Sequence, residues 1–194
     1  MTGNDGAPAR RGRALRADAR RNEDRVLEAA AAAFARDGIG ASVKDIAREA
    51  GVGVGTLYRR FPSKELLIEA SYRHEVQRLC EAAPDLAAAH PPEEALRTWM
   101  ESFIDFMAAK KGMADALRVV LTDDSEKLHT RSLLAEAITH LIAPRDGRPT
   151  ARPDVDPHDV LMALGGISLM ASSEAHRDLA TRLIDLLLHG VLRD

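Results

Sequence analysis

Residues 51–60 read GVGVGTLYRR, three glycines at alternate positions followed by a threonine, a tyrosine and two arginines. Two chemistries use such a run. Closely spaced glycines free backbone N–H groups to approach a nucleotide phosphate, whereas hydroxyls and guanidinium groups on a short helix hydrogen-bond DNA phosphates and base edges. The nucleotide reading fails on spacing. The dinucleotide pattern G-x-G-x-x-G meets Thr56 where its last glycine belongs, and a Walker loop needs Gly-Lys where Val54 and Gly55 precede Thr56. Both motifs also follow a β-strand, and the preceding SVKDIAREA (residues 42–50) has the spacing of a short amphipathic helix.

A helix-turn-helix accounts for the same residues type by type. In that motif a short helix, a tight turn and a second helix present one exposed face to the DNA major groove. Ser42 followed by Asp45 fits a capping box, and Val43, Ile46, Ala47 and Ala50 form the apolar stripe of the first short helix. Ala47 is small enough for two helices to approach, Gly51 permits a left-handed turn, and Val52 and Leu57 supply apolar contacts that set the interhelix angle. Gly55 leaves room for DNA, and Thr56, Arg59 and Arg60 are hydrogen-bonding groups on a helix too short to need them for solubility. A purely structural αα-hairpin would show the same turn, but it gives no reason for basic and small residues to concentrate there.

With Phe34-x-x-x-Gly38 before it, the segment 42–70 (SVKDIAREAGVGVGTLYRRFPSKELLIEA) closely resembles the DNA-binding signature of TetR-type transcriptional regulators. The matching pieces are A-x-x-A-G-V at 47–52, G-T-L-Y at 55–58 and F-P-S-K-E at 61–65. The resemblance implies an all-α homodimer whose three N-terminal helices bind a double-stranded DNA operator. It also implies a C-terminal domain that binds a small-molecule effector and the second subunit, and a repressor released by that effector. Residue by residue, it implies phosphate contacts from Ser42, Lys44, Tyr58 and Lys64, and contacts to bases or adjacent phosphates from Thr56 and Arg59. Arg60 stays open between DNA, solvent and an acidic neighbour. The alternatives are a DNA-binding activator or architectural regulator without an effector and, from another class, a helical small-molecule-binding protein or enzyme.

Charge is divided along the chain in the same sense. Residues 1–64 carry 13 Lys and Arg against 8 Asp and Glu, a net +5, whereas residues 65–194 sum to −8, which together give −3. A basic front third suits a nucleic-acid partner or a solvated tail. Six arginines, from Arg10 to Arg21, lie in or just after residues 1–17, which lack bulky apolar side chains and are expected to form a flexible basic arm. That arm either enters a minor groove or raises non-specific attraction to DNA.

The elements that position these residues read as helices throughout. The first runs from about Asp18 to a stop at Gly38, completing a DNA-binding domain over 18–62, and the short helices follow at 43–50 and 54–60. Ser63 caps a long helix expected to end near Ala82, ahead of Pro84, within an effector and dimerisation domain over 63–194. Pro91 and Pro92 open a helix to about Ala109, and ADALRVVL suggests a short one. Another follows over DSEKLHTRSLLAEAITHLI, then a proline-rich connection from Pro144 to Pro157, a helix to about Ser172 and a last helix near the end, about nine helices in all.

Trp99, Phe103 and Phe106 recur at i, i+4 and i+7, either as core or as the wall of a ligand pocket, with Met107 beside them and Met162 and Met170 as contributors from another helix. His140 sits among apolar residues and reads as a hydrogen-bonded core residue or, less directly, a ligand contact. The last two helices carry apolar residues nearly all round. Ala163, Gly166, Ile167 and Met170 on one, with Leu183, Leu186 and Leu187 on the other, are expected to form a four-helix dimer interface or else a buried intrachain hairpin.

Other chemistries find no support. The seven histidines are scattered without metalloenzyme spacing, no G-x-S-x-G elbow surrounds Ser168, and no cofactor, metal or enzymatic activity is expected. Cys80 alone cannot form an intrachain disulfide, and the longest apolar run, Val160–Ala171, is short of the roughly 20 residues that cross a bilayer. No membrane association is expected, and the cytoplasm is the expected compartment.

Overall fold

Three helices begin at side-chain caps. The computed structural model describes residues 7–120, 124–171 and 177–193, among which there are nine α-helices and no β-strand, as expected of an all-α chain. They are α1 (Ala7–Asp37), α2 (Val43–Glu49), α3 (Val54–Arg60), α4 (Lys64–Ala89), α5 (Pro92–Gly112), α6 (Ala114–Val120), α7 (Asp124–Ile142), α8 (Pro157–Met170) and α9 (Arg177–Val191). A single 3-10 turn, Gly38–Gly40, follows α1. The Ser42 hydroxyl accepts the Asp45 N–H at 3.3 Å to open α2, and the Ser63 hydroxyl accepts the Leu66 N–H at 3.2 Å to open α4. The Asp156 carboxylate accepts the His158 N–H at 2.7 Å to open α8. Each cap is worth about 1 kcal/mol relative to alanine.

Several boundaries differ from those that periodicity suggests. The first helix begins at Ala7, not near Asp18, because Ala, Arg and Leu are strong helix formers and Pro8 falls in the first turn, where a missing N–H is harmless. Residues 1–6 of the expected arm lie outside the described residues. α4 runs through Pro84 to Ala89 and does not stop near Ala82. An interior proline costs about 3 kcal/mol, but Ala83 is fully buried and Leu86 and Ala87 pack on the core, so burial of the last turns opposes that cost. α5 likewise continues to Gly112.

One apolar core spans the helix-turn-helix and the C-terminal helices. Phe34 from α1, Ile46 and Ala47 from α2, Leu57 from α3 and Leu67 from α4 are buried together, and the same cluster continues through Trp99, Ile138 and Leu164. α1 packs on both α4 and α5, so the N-terminal three-helix end is seated directly on the C-terminal helices. Trp99 pins α5 to α4 by donating its indole N–H to the Leu79 carbonyl at 2.8 Å. Among the described residues no helix is long and apolar enough to cross a membrane, and no His/Cys/Asp/Glu group could hold a metal.

Candidate nucleic-acid interface

The turn between α2 and α3 is closed by the Val52 N–H donating to the Ala47 carbonyl at 2.9 Å, with Gly51 at φ +69°. That φ is accessible to glycine at little cost and strained for other residues. Ile46, Ala47 and Leu57 are buried beneath it, which fixes α3 against α2 and leaves the opposite face of α3 in solvent. On that face Gly55, Thr56, Tyr58 and Arg59 are exposed, and an added Cβ at Gly55 would meet nothing within 4 Å. Ser42 and Lys44, at the start of α2, are exposed as well.

The charged side chains on this surface are not equivalent. Arg59 donates from Nη2 to the Thr56 hydroxyl at 3.1 Å, which lays the guanidinium along α3, and it has no acidic partner among the described residues. Lys44 has none either. Arg60 is committed: its Nε and Nη2 donate to one carboxylate oxygen of Glu23 on α1, at 3.1 and 2.6 Å. Lys64 is half-buried, donates to the Ile39 carbonyl and lies 6.0 Å from the centre of the Phe34 ring, so it ties the start of α4 to the turn after α1. Ser42 combines exposure with its capping bond to Asp45. Among the described residues, the cations of this face without an acidic partner are therefore Arg59 and Lys44. Sequence reasoning left the Glu23 partner of Arg60 unnamed, since 37 residues separate them and no local pattern links them.

The residues expected to line a ligand pocket do not form one group. Trp99, Phe103 and Phe106 are buried and in ring contact, with centroids 5.9 Å apart for the first pair and 6.1 Å for the second, and Tyr72 of α4 lies 5.7 Å from Phe106. Met107 is half-buried at the edge of this cluster. Met162 and Met170 do not reach it. They are 64% and 50% exposed on the outer side of α8, because Val160, Leu161, Leu164 and Ile167 take its inner side. His140 is also corrected: it is exposed on α7, whose buried positions are Leu134, Ala135, Ala137, Ile138 and Leu141.

Of the expected interface residues, Ala163, Gly166, Met170 and Leu186 are exposed, Leu183 and Leu187 are half-buried, and Ile167 is turned into the core. A groove of about 930 Å³ between α1 and α4 is crossed by the ion pair of Arg78 with Glu28 at 3.4 Å, and Arg73 on its wall pairs with Glu126 of α7 at 2.6 Å.

A three-helix head with a buried turn and an exposed, cationic third helix, seated on six further helices, defines a helix-turn-helix protein. Comparison with known proteins agrees. Residues 26–71 match the family described as bacterial regulatory proteins, tetR family, and residues 91–193 match the C-terminal domain of SbtR-like transcriptional regulators. A TetR transcriptional regulator from Streptomyces coelicolor is 47% identical, covering 87% of this chain and 97% of its own, with a TM-score of 0.80. A TetR transcription regulatory protein from Mycobacterium vanbaalenii is 34% identical, covering 92% and 99%, with a TM-score of 0.72. A TetR-like regulator from Mycobacterium smegmatis, solved in complex with proflavine, shares the fold at 22% identity and a TM-score of 0.59, covering 91% and 99%. The chain belongs to the TetR family: it is a DNA-binding transcriptional regulator and not an enzyme.

Proposed function

We propose that this regulator is a homodimeric, ligand-responsive repressor, acting in the cytoplasm on a near-palindromic operator through two copies of residues 42–64. The observation that carries the reading is the face of α2 and α3 on which Lys44, Thr56, Tyr58 and Arg59 are exposed and Arg59 and Lys44 lack acidic partners among the described residues. Arg59 reads a base, most informatively guanine O6 and N7, with Thr56 holding its guanidinium in line, while Ser42, Lys44 and Tyr58 hold phosphates. Lys64 takes a phosphate only by leaving the Ile39 carbonyl.

Dimerisation uses α8 and α9, where Met162, Leu169, Met170 and Leu186 are exposed large apolar side chains. Large apolar side chains left exposed on neighbouring helices suit an interaction site. In the bound state the two recognition helices must meet successive major grooves, about 34 Å apart. The effector acts beside the aromatic cluster of α5, which touches α4 through Tyr72 and Trp99 and also packs on α8 and α9. A small molecule wedged there shifts α4 relative to the dimer face, and with it the spacing of the heads. It does so only by binding one spacing better than the other.

The test is binding of the purified protein to its own flanking intergenic DNA and to scrambled DNA of equal length, over a salt series. Preference for the flanking DNA is expected, with affinity falling steeply in salt. Lys44→Ala, which removes one phosphate contact from each subunit, should reduce the salt slope by about 2 without changing sequence preference. Absence of binding to any DNA at low salt would overturn the reading.

A further inference from the structure

The 26 residues of α4 carry the chain about 39 Å away from the DNA-reading head. At that far end lies a cleft of about 640 Å³ between the α4–α5 junction, the turn after α7 and the end of α9. Its volume is in the range of small-molecule sites. Its lining is basic and apolar together: Arg145, Arg148 and Arg193, with Pro91, Leu188 and Leu192.

The turn presents its arginines by design of the backbone. Arg145 and Arg148 exchange backbone hydrogen bonds of 3.0 and 2.8 Å, and Asp146 and Gly147 between them have φ of 51° and 72°. Two left-handed residues close the tightest kind of two-residue loop, and residues paired across such a loop project from the same face. Arg145 donates from Nη1 to the His90 carbonyl at 2.7 Å, but its Nη2 is buried and has no partner among the described residues. A buried guanidinium nitrogen without an acceptor is costly, and an anion that Arg145 turns to meet from the wall of the cleft offsets that cost. Arg148 and Arg193 have no acidic partner among the described residues. Of the two carboxylates in the lining, Glu93 is engaged by Arg97 at 3.4 Å, and Asp146 stands on the exposed tip of the turn.

We propose that this cleft binds a small organic carboxylate with a short apolar body, the carboxylate on Arg145 and Arg148 and the body against Pro91, Leu188 and Leu192. The site is separate from the aromatic cluster of α5 and from the DNA-reading face. A ligand held there ties the end of α4 to α9, the helix that carries exposed Leu186.

Titration of the full chain by ligand-observed NMR tests this with four probes: benzoate, acetate, inorganic phosphate and benzyl alcohol. Benzoate is expected to bind, acetate more weakly for want of an apolar body, and benzyl alcohol not at all. The doubly substituted Arg148→Ala/Arg193→Ala protein alters only exposed side chains and keeps the fold, and it should weaken benzoate by about tenfold or more. Arg145→Gln should do the same, with a melting curve to check folding. If it unfolds, the double variant carries the test alone. Failure of benzoate to bind, binding unchanged in the double variant, or phosphate binding as tightly as benzoate would each overturn the proposal. The titration contains no DNA, so its outcome is independent of the operator reading.

Discussion

Arg59 and Arg60 are neighbours of the same type with opposite assignments, and the difference is one carboxylate. Glu23 occupies Arg60, while Arg59 is steered only by a neutral hydroxyl. Arg59→Ala is expected to cost about 1–3 kcal/mol of operator affinity per half-site and to flatten discrimination at one base position in each half-site. Arg60→Ala removes an exposed ion pair worth about 0.2–1 kcal/mol, so it should lower stability slightly and leave discrimination in place. Fluorescence anisotropy on operator and single-base variants, beside thermal melting, separates the two. At this scale the sequence showed the donors, through the GTLYRR run, but not their commitments, which depend on a helix far away in the chain. Cys80 shows the same dependence on surroundings. Burial, with the carboxylates of Glu136 and Glu81 adding to it, pushes its thiol from an ordinary 9.0 to about 11. The folded thiol keeps its proton where the unfolded one ionises, so the folded state binds more protons and this contribution to stability is lost as pH rises from 9 through 11. Slow alkylation of the folded protein at pH 8, and a smaller loss of stability between pH 9 and 11 in Cys80→Ala than in the wild type, are the expected results.

Among the elements, those with a chemical punctuation mark were legible: Ser42 and Ser63 cap the helices they precede. Where punctuation and packing conflict, packing prevails, as at Pro84, which α4 passes through because the turns beyond it are buried. The approach of α1 to α5 was not legible, since Gly112 reads as an ordinary helix end. A Cβ there would sit 2.7 Å from the carbonyl oxygens of both Phe34 and Ala35, backbone atoms that cannot rotate away. Gly38 faces the same junction, where its Cβ would lie 3.1 Å from the Gly112 carbonyl. Gly112→Ala should therefore destabilise the protein by about 1–3 kcal/mol through overpacking. The same replacement at Gly190 in α9, where a Cβ meets nothing within 4 Å, should be neutral or stabilising by up to about 1 kcal/mol. Chemical denaturation of both variants measures the contrast. A Gly112→Ala protein as stable as the wild type would mean that α1 and α5 separate easily, and that the head is not firmly seated on the C-terminal helices.

For the molecule as a whole, an apolar C-terminal helix pair could be read from the sequence, but not which of its residues face the core. Ile167 proved to be core, and Met162, expected beside a ligand, is on the open face. Both readings follow from the helical period: Val160, Leu161, Leu164 and Ile167 form the inner stripe of α8, leaving Met162, Ala163, Gly166, Leu169 and Met170 outside it. The small residues matter because an added Cβ at Gly166 meets nothing within 4 Å, so a second helix can come close there. A lone recognition helix of seven residues offers few contacts, and joining two heads makes the second contact intramolecular, raising overall affinity by roughly 10²–10⁴-fold. Charges placed at two exposed positions, as Met162→Glu with Leu186→Glu, touch neither the core nor the head. If α8 and α9 form the dimer, this protein should sediment as a folded monomer at concentrations where the wild type is a dimer. Its affinity for a full operator should then fall toward that of the wild type for a half-site, while the steep salt dependence of each head is retained. A variant that stays dimeric would place the subunit contact elsewhere, and one that is monomeric with full operator affinity would show that the two heads do not act together.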